Sequence, residues 1–139
     1  MPEFRHVQYA KRNARQKENY NFQKVSAVLA DYGYVTMRLS DDWQGADFIA
    51  QHIDGTFIKV QLKSRPFFAK NYEGKDLFIA YYDGQTWYLY PHDEVLNRYL
   101  PTSNLGSTVS WSERGGYSWR SAPRDLRDLL APYKLEERR

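Results

Sequence analysis

Three polar side chains stand out between Gly45 and Arg65, in the stretch GADFIAQHIDGTFIKVQLKSR. Asp47 precedes one apolar run, and Gln61 and Lys63 lie within a second. A polar group in a buried strand costs several kcal/mol unless a partner satisfies it. Two explanations are therefore open: the fold pairs these side chains with one another, or a metal ion and a substrate occupy the site that they form.

The register of the hairpin decides whether the three side chains meet. Asp54 and Gly55 suit a two-residue turn or part of a three-residue loop with a bulge, and a shift of one residue moves every side chain to the other face. A two-residue turn leaves both faces mixed. A three-residue loop, which pairs Ile53 with Phe57, gathers five apolar side chains on one face: Phe48, Ala50, Ile58, Val60 and Leu62.

This amphipathic solution places the polar side chains on the other face of the hairpin. The pairs predicted there are Asp47–Lys63, Ile49–Gln61 and Gln51–Lys59. We therefore predict that Asp47, Gln61 and Lys63 cluster at one end of the hairpin, which turns through a bulge or another offset loop.

Hydrophobic periodicity places the hairpin within a mixed α/β domain. Apolar residues recur at three- and four-residue spacing from Glu18 to Tyr32, which predicts a helix ended by Gly33. The other predicted elements are a strand at 34–39, a second hairpin at 76–90, a helix at 92–99, strands at 108–111 and 117–120, and a helix at 123–130. We predict one domain over residues 1–139, with a basic N-terminal segment at 1–17 and a C-terminal extension at 100–139.

Composition excludes several classes of site. The 139 residues include no cysteine, which rules out disulfides, cysteine zinc sites and thiol nucleophiles. The three histidines lack the spacing of metal ligands, and no Gly-rich phosphate loop is present. The chain shows neither an apolar leader nor a membrane span, so we expect a soluble, cytoplasmic protein. The net charge of +3 permits a nucleic-acid partner.

The order of these residues resembles the PD-(D/E)XK nuclease superfamily, in which an acid at the start of one strand precedes a Glu-, Asp- or Gln-x-Lys triplet on the next. The matching pieces here are Gly45–Asp47 and Gln61–Lys63. Upstream, NFQKVSAVLADYGY is similar to the first helix and strand of Mrr-type and Holliday-junction-resolvase-like members. The resemblance spans about Glu18 to Arg65. It implies a restriction-endonuclease-like core, with a mixed central β-sheet flanked by helices.

The resemblance also implies an activity and roles for the clustered residues. It predicts a Mg²⁺-dependent endonuclease that hydrolyses DNA phosphodiester bonds, with Mn²⁺ as an alternative metal. Asp47, Gln61 and the carbonyl of Leu62 would ligate the metal. Lys63 would orient the attacking water and stabilise the developing charge.

A fourth ligand is expected from the first helix, where family members often carry a glutamate. Gln23 occupies the matched position, and Glu18 lies five residues earlier. Both are candidates. If Gln23 is the equivalent, Asp47 supplies the single carboxylate, and Mg²⁺, which prefers oxygen ligands and keeps several waters, would bind weakly.

Basic side chains around the site are candidates for contact with DNA. Arg65, at the end of the second strand, would clamp a phosphate; the others are Arg12, Arg15, Lys17 and Lys70. Because one site cuts one strand, a homodimer or higher homo-oligomer is compatible with action on a duplex. Two alternatives stay open: a catalytically inactive nuclease-like protein that binds nucleic acid, and an interaction protein with no nucleic-acid role.

Overall fold

The computed structural model describes residues 2–138, which form three α-helices and seven β-strands. Their bounds are α1 Ala14–Asp31, β1 Tyr34–Trp43, β2 Ala46–His52, β3 Phe57–Lys63, β4 Phe67–Ala69, β5 Leu77–Tyr82, β6 Trp87–Pro91, α2 His92–Tyr99, β7 Gly116–Ser118 and α3 Arg124–Leu130. No helix within residues 2–138 combines the length and the apolar character needed to cross a membrane.

A mixed sheet of five strands, in the order β1-β2-β3-β5-β6, forms the centre of the fold. Neighbouring strands are antiparallel except β3 and β5, which run parallel. Strands β4 and β7 pair with each other in a second, two-stranded sheet. The second predicted hairpin is β5–β6, and α2 has the bounds predicted for it.

Helices cover the central sheet on two faces. One apolar cluster joins α1 to the sheet and contains Val25, Val28, Leu29, Phe48, Ala50, Val60, Ala80 and Trp87. A second joins β5 and β6 to α2 and α3 and includes Ile79, Tyr90, Val95, Leu96, Leu126 and Leu130. Successive strand residues point to opposite faces, so the adjacent residues Ile79 and Ala80 assign the clusters to opposite sides of the sheet. The predicted fold class, a mixed central sheet flanked by helices, is confirmed.

Helix α1 begins at Ala14, ahead of the predicted start at Glu18. Asn13 caps it, because the Asn13 side chain accepts the N–H of Gln16 while the Gln16 side chain accepts the N–H of Asn13, each at 2.9 Å. This reciprocal pair is a capping box. Gly33 follows the helix with a φ of 86°, the left-handed conformation expected of it. The end of the basic N-terminal segment is therefore helical.

The β2–β3 hairpin has the predicted faces but a different register. Phe48 pairs with Val60 and Ala50 with Ile58, and three of these four side chains, those of Phe48, Ala50 and Val60, are fully buried. The partners predicted on the polar face are wrong by two residues. The observed pairs there are Ile49–Lys59 and Gln51–Phe57.

The turn explains the register. The loop is Ile53–Gly55, closed by a 2.7 Å bond from the N–H of His52 to the carbonyl of Thr56; the predicted loop lay one residue later. Asp54 Oδ1 accepts the N–H of Thr56 at 2.9 Å, and the N–H of Ile53 donates to Gly33 instead of facing β3. A slip of two residues leaves every side chain on its face, so the apolar pattern is the same in both registers.

The strand predicted at 108–111 is wrong. Thr108 precedes a π-helical turn, Ser110–Arg114, in which the Thr108 hydroxyl accepts the N–H of Trp111 at 3.2 Å and the Thr108 carbonyl accepts that of Ser112 at 3.0 Å. Ser and Thr side chains that bond locally to the backbone compete with strand pairing. Conversely, β4 is a strand in a stretch where none was predicted.

Candidate functional site

Asp47 lies at the end of the β2–β3 hairpin, where a side chain replaces main-chain pairing. The paired residues run from Gln51–Phe57 to Phe48–Val60. One step beyond, Asp47 Oδ2 accepts the backbone N–H of Leu62 at 2.9 Å. In an extended strand the N–H and C=O of one residue point to the same side, so the Leu62 carbonyl also faces β2. A carboxylate and a backbone carbonyl thus converge at this end of the hairpin.

The environment of the Asp47 carboxyl opposes its ionisation. Burial raises the pKa of Asp47, and the hydrogen bond from Leu62 and the positive charges of Lys63 and Arg38 only partly offset that effect. The negative charge of Glu18 raises the pKa of Asp47 further. A cation bound at this carboxylate would relieve both unfavourable contributions.

Lys63 is the second half-buried charge of the site. Burial lowers the pKa of its ammonium group, and the charge of Asp47 raises it by a smaller amount. Among residues 2–138 no ion pair joins Asp47 and Lys63. The Lys63 Nζ instead lies 4.3 Å from the ring centre of Phe67 and 5.8 Å from that of Tyr72. The structure therefore does not show the carboxylate–ammonium contact that a simple cross-strand ion pair between these two residues would require.

Gln61 shares the polar face of β3 with Lys63. Extending the observed register by one residue places Gln61 opposite Asp47, the position that the sequence assigned to Lys63. Gln61 is half-buried and pairs in the parallel ladder with Ile79 of β5. The structure therefore brings Asp47, Gln61 and Lys63 to one end of the hairpin.

The two candidate ligands from α1 differ in position. The Oε2 of Glu18 is 3.7 Å from Arg38 Nη2, and the Glu18 charge contributes to raising the pKa of Asp47. Gln23 is exposed on the helix, next to Phe22, which packs on Phe48. Between the two, Glu18 is better placed to reach Asp47.

Arg38 is the residue of this site that the sequence did not identify. It pairs with Phe48 across β1 and β2, donates a hydrogen bond to Asn19, and lies with its guanidinium 5.4 Å from the Phe22 ring. It thereby connects α1 to the sheet beside Asp47. The sequence predicted that Arg38 lies on β1. It did not predict the β1–β2 register, which pairs Arg38 with Phe48 and so brings it near Asp47.

The predicted nucleic-acid contacts fall into two groups. Arg12 and Lys17 pack on aromatic rings, with Arg12 Cζ 4.3 Å from the Tyr20 ring and Lys17 Nζ 5.4 Å from the Tyr9 ring. Lys70 is exposed but also lies against a ring, with its Nζ 5.4 Å from the Trp111 ring. The other two, Arg15 and Arg65, are exposed. Arg65 follows Lys63 by two residues and is the predicted contact nearest to the site in sequence.

The donor atoms of the site suit a hard cation only weakly. Residues 2–138 contain no group of three or more His, Cys, Asp or Glu side chains able to hold a metal ion. The Asp47 carboxylate, the Leu62 carbonyl and the Gln61 amide supply oxygen alone, which is the ligand type of Mg²⁺ and Mn²⁺. Glu18 would add a second carboxylate but also faces Arg38. The donors fit a cation that keeps several waters.

Comparison with known proteins adds little to this geometry. No protein-family model matches the chain, and no curated protein matches it. Among solved structures it is similar to Archaeoglobus fulgidus Hjc, a Holliday junction resolvase from an archaeal hyperthermophile. The two sequences are 11% identical, the match covers 50% of this chain and 74% of that chain, and the TM-score is 0.40. A likeness of that extent carries no argument about activity.

Proposed function

We propose that this protein is a metal-dependent DNA endonuclease of the PD-(D/E)XK type. The observation that carries the proposal is the convergence of the Asp47 carboxylate, the Leu62 backbone and the Lys63 ammonium at one half-buried sheet end. These are the groups that the sequence resemblance assigned to metal binding and catalysis. Neither charge is neutralised by an ion pair with the other, so both are available to a ligand.

In this proposal Asp47, Gln61 and the Leu62 carbonyl would hold a divalent cation, with Glu18 as the additional carboxylate. The cation, when bound, would supply Lewis acidity toward the scissile phosphate. Lys63 would hold the attacking water and neutralise charge that develops on the phosphate oxygens, in a setting that burial makes less polar than water. The phosphates on either side would be contacted by the predicted basic residues Arg65, Arg12, Arg15, Lys17 and Lys70.

A nicking assay tests this function. Supercoiled plasmid, branched DNA and single-stranded DNA are incubated with the protein and Mg²⁺ or Mn²⁺, beside Asp47→Ala, Lys63→Ala and the control Lys59→Ala. Lys59 lies on the same face of β3 but donates to Gln44 at 2.7 Å. We expect cleavage by the wild-type protein and by Lys59→Ala only. No cleavage of any substrate with either metal would overturn the proposal.

Binding of nucleic acid without cleavage is the second candidate. It is favoured by the absence, within residues 2–138, of a group of three potential side-chain metal ligands of the His, Cys, Asp or Glu type. Such a protein would bind DNA with an affinity that falls steeply with salt concentration and is insensitive to EDTA. Titration of labelled DNA at two salt concentrations, with and without Mg²⁺, separates this candidate from the nuclease.

A further inference from the structure

The segment between β3 and β5 places two aromatic rings on Lys63. The ring centres of Phe67 and Tyr72 lie 4.3 Å and 5.8 Å from Lys63 Nζ. The two rings are 5.8 Å apart and inclined at 58° to each other. We call Phe67 and Tyr72 the aromatic clamp. An ammonium group within about 6 Å of a ring centre is attracted to the negative face of the ring.

Tyr90 holds the Phe67 side of the clamp. The N–H of Phe67 donates to the Tyr90 hydroxyl at 3.0 Å, and that hydroxyl donates to the Phe67 carbonyl at 2.8 Å. Tyr90 is fully buried on β6. Both main-chain polar groups of Phe67 are thus bound by one side chain from the protein interior, which fixes the backbone from which the ring projects.

His92 and Asp93 hold the segment that carries Tyr72. The N–H of Ala69 donates to His92 Nε2 at 3.0 Å, His92 Nδ1 bonds to Asp93 Oδ1 at 2.8 Å, and the N–H of Gly74 donates to Asp93 Oδ2 at 2.8 Å. Because Nε2 accepts from Ala69, the ring proton lies on Nδ1. The backbone is therefore fixed on both sides of Tyr72.

Gly45 provides the seat for the Tyr72 ring. A Cβ at Gly45 would lie 3.0 Å from Tyr72 Cε1, which is tighter than most Cβ contacts in proteins. Gly45 precedes Asp47 by two residues, and the charge of Asp47 contributes to raising the pKa of Tyr72, after burial. Tyr72 thus contacts the strand of the carboxylate and approaches the ammonium group as well.

The aromatic clamp offsets the cost of ordering the Lys63 side chain. That side chain has four rotatable bonds, and ordering such a chain costs up to about 2 kcal/mol of entropy. Without an ion pair to Asp47, that cost needs another favourable contact. We propose that Phe67 and Tyr72 are positioning residues that hold the Lys63 ammonium at the end of the hairpin, ready for a phosphate. The catalytic consequence rests on the proposed nuclease function, whereas the contact itself does not.

Nuclear magnetic resonance of the Lys63 side chain tests the contact, in the metal-free protein with EDTA. Ring currents should shift the ε-methylene protons of Lys63 upfield of those of Lys75, with assignment by Lys63→Arg. We expect Phe67→Leu, which keeps an apolar side chain, to lose most of that shift, and Phe67→Tyr to retain it. An unchanged shift in Phe67→Leu would overturn the clamp. If that variant does not fold, Tyr72→Leu against Tyr72→Phe gives the same comparison with a smaller shift.

Nicking kinetics test the positioning role. We expect Phe67→Leu to lower kcat about fivefold to tenfold with KM unchanged, which corresponds to loss of about one cation–π contact, and Phe67→Tyr to restore it. An unaltered kcat in Phe67→Leu, together with a lost ring-current shift, would show that the rings hold Lys63 without serving catalysis. If the wild-type protein does not cleave, the nuclease proposal and the catalytic role fall together, and the ring-current shift still decides whether the clamp exists.

Discussion

Asp47 and His92 each accept a backbone N–H from a neighbouring segment, and they differ in what they leave available. His92 is fully buried, with Nε2 bound to Ala69 and Nδ1 to Asp93. Asp47 is half-buried, and only Oδ2 accepts a hydrogen bond from residues 2–138, that from Leu62. The His92 network is complete. At the Asp47 site, one carboxylate oxygen accepts no hydrogen bond from residues 2–138, and the Lys63 ammonium group lies against two aromatic rings instead of a carboxylate.

The difference separates a structural polar network from a candidate binding site. In a buried network every donor and acceptor needs a partner, because an unsatisfied group costs its full desolvation. His92 meets that requirement within the protein. Asp47 and Lys63 make no ion pair with each other, and both have shifted pKa values, which cluster at functional sites. We therefore expect changes in the interior polar contacts around His92 to lower stability, and changes at Asp47 and Lys63 to lower activity.

The largest expected effect is the loss of activity on changing Lys63 in the Asp47 site. Lys63→Ala should lower the single-turnover nicking rate about 10²- to 10³-fold, as for loss of one charge-stabilising donor, while the free energy of unfolding changes by less than about 1 kcal/mol. Urea unfolding and nicking are measured on the same preparation. A destabilisation larger than that of Tyr90→Phe would contradict the comparison.

The next largest effect is a loss of stability on removing the Tyr90 hydroxyl, which, like His92, binds a backbone group of the segment after β3. Tyr90→Phe should lower the free energy of unfolding by about 1–3 kcal/mol, because the partly buried N–H of Phe67 loses its acceptor and the Phe67 carbonyl loses its donor. Tyr88→Phe is the matched control, since the Tyr88 hydroxyl makes no hydrogen bond within residues 2–138 and its ring stacks on Tyr81 at 5.0 Å. Equal urea midpoints for the two variants would refute the structural role of the Tyr90 hydroxyl.

Two substitutions of Asp47 should change stability in opposite directions at pH 7. Asp47→Ala removes the acceptor of the Leu62 N–H and should cost about 1–3 kcal/mol. Asp47→Asn keeps an acceptor oxygen and removes the charge, so its midpoint temperature should exceed that of the wild type. A raised carboxyl pKa means that the folded state binds the proton more tightly, so wild-type stability falls as pH rises from 3.8 through the folded pKa.

The Asp47→Asn difference should therefore shrink as the pH is lowered toward 3.8, the ordinary pKa of an aspartate. Thermal unfolding at a series of pH values measures it. A midpoint of Asp47→Asn below that of the wild type at pH 7 would show that the ionised carboxylate stabilises the fold, and the site would then resemble the His92 network.

The smallest expected effect is the pH dependence contributed by His92. Burial lowers the pKa of His92, although Asp93 and Glu73 act in the opposite direction. The unfolded chain therefore binds a proton at His92 before the folded chain does, and stability falls as pH drops below 6.5. In His92→Gln, whose amide oxygen can accept from Ala69, this part of the pH dependence should be absent. An unchanged slope between pH 7 and pH 5 would contradict it.

Most of the secondary structure was predictable from local pattern. Residues 18–31 of α1, the two main hairpins and α2 follow from hydrophobic spacing and turn residues. The early start of α1 depended on the Asn13–Gln16 capping box. The strand predicted at 108–111 failed because the Thr108 hydroxyl and carbonyl bond locally. The three-residue strand β4 depends on its pairing with β7, and the local sequence pattern does not predict that pairing.

The sequence predicted three residues of the candidate site, but it predicted their contacts only in part. Asp47, Gln61 and Lys63 do lie at one end of the hairpin, while their chemical roles stay predictions. Arg38 was missed, and Lys63 meets two rings instead of the predicted carboxylate partner. Both outcomes depend on where other segments dock. The sequence carries no signal for that docking at the positions concerned.

The sequence by itself determined which side chains share a face of the hairpin, because strand side chains alternate with a period of two. Only the tertiary structure decided their partners. A slip of two residues preserves the alternation, and the long-range contact at the loop is the hydrogen bond from the Ile53 N–H to Gly33, which accompanies the local Asp54–Thr56 bond. Likewise, the sequence supplied Lys63 and the aromatic residues of the following segment. Hydrogen bonds to Tyr90, His92 and Asp93, which lie 23, 23 and 19 residues along the chain from the groups they bind, fix the backbone that presents two of those rings to the ammonium group.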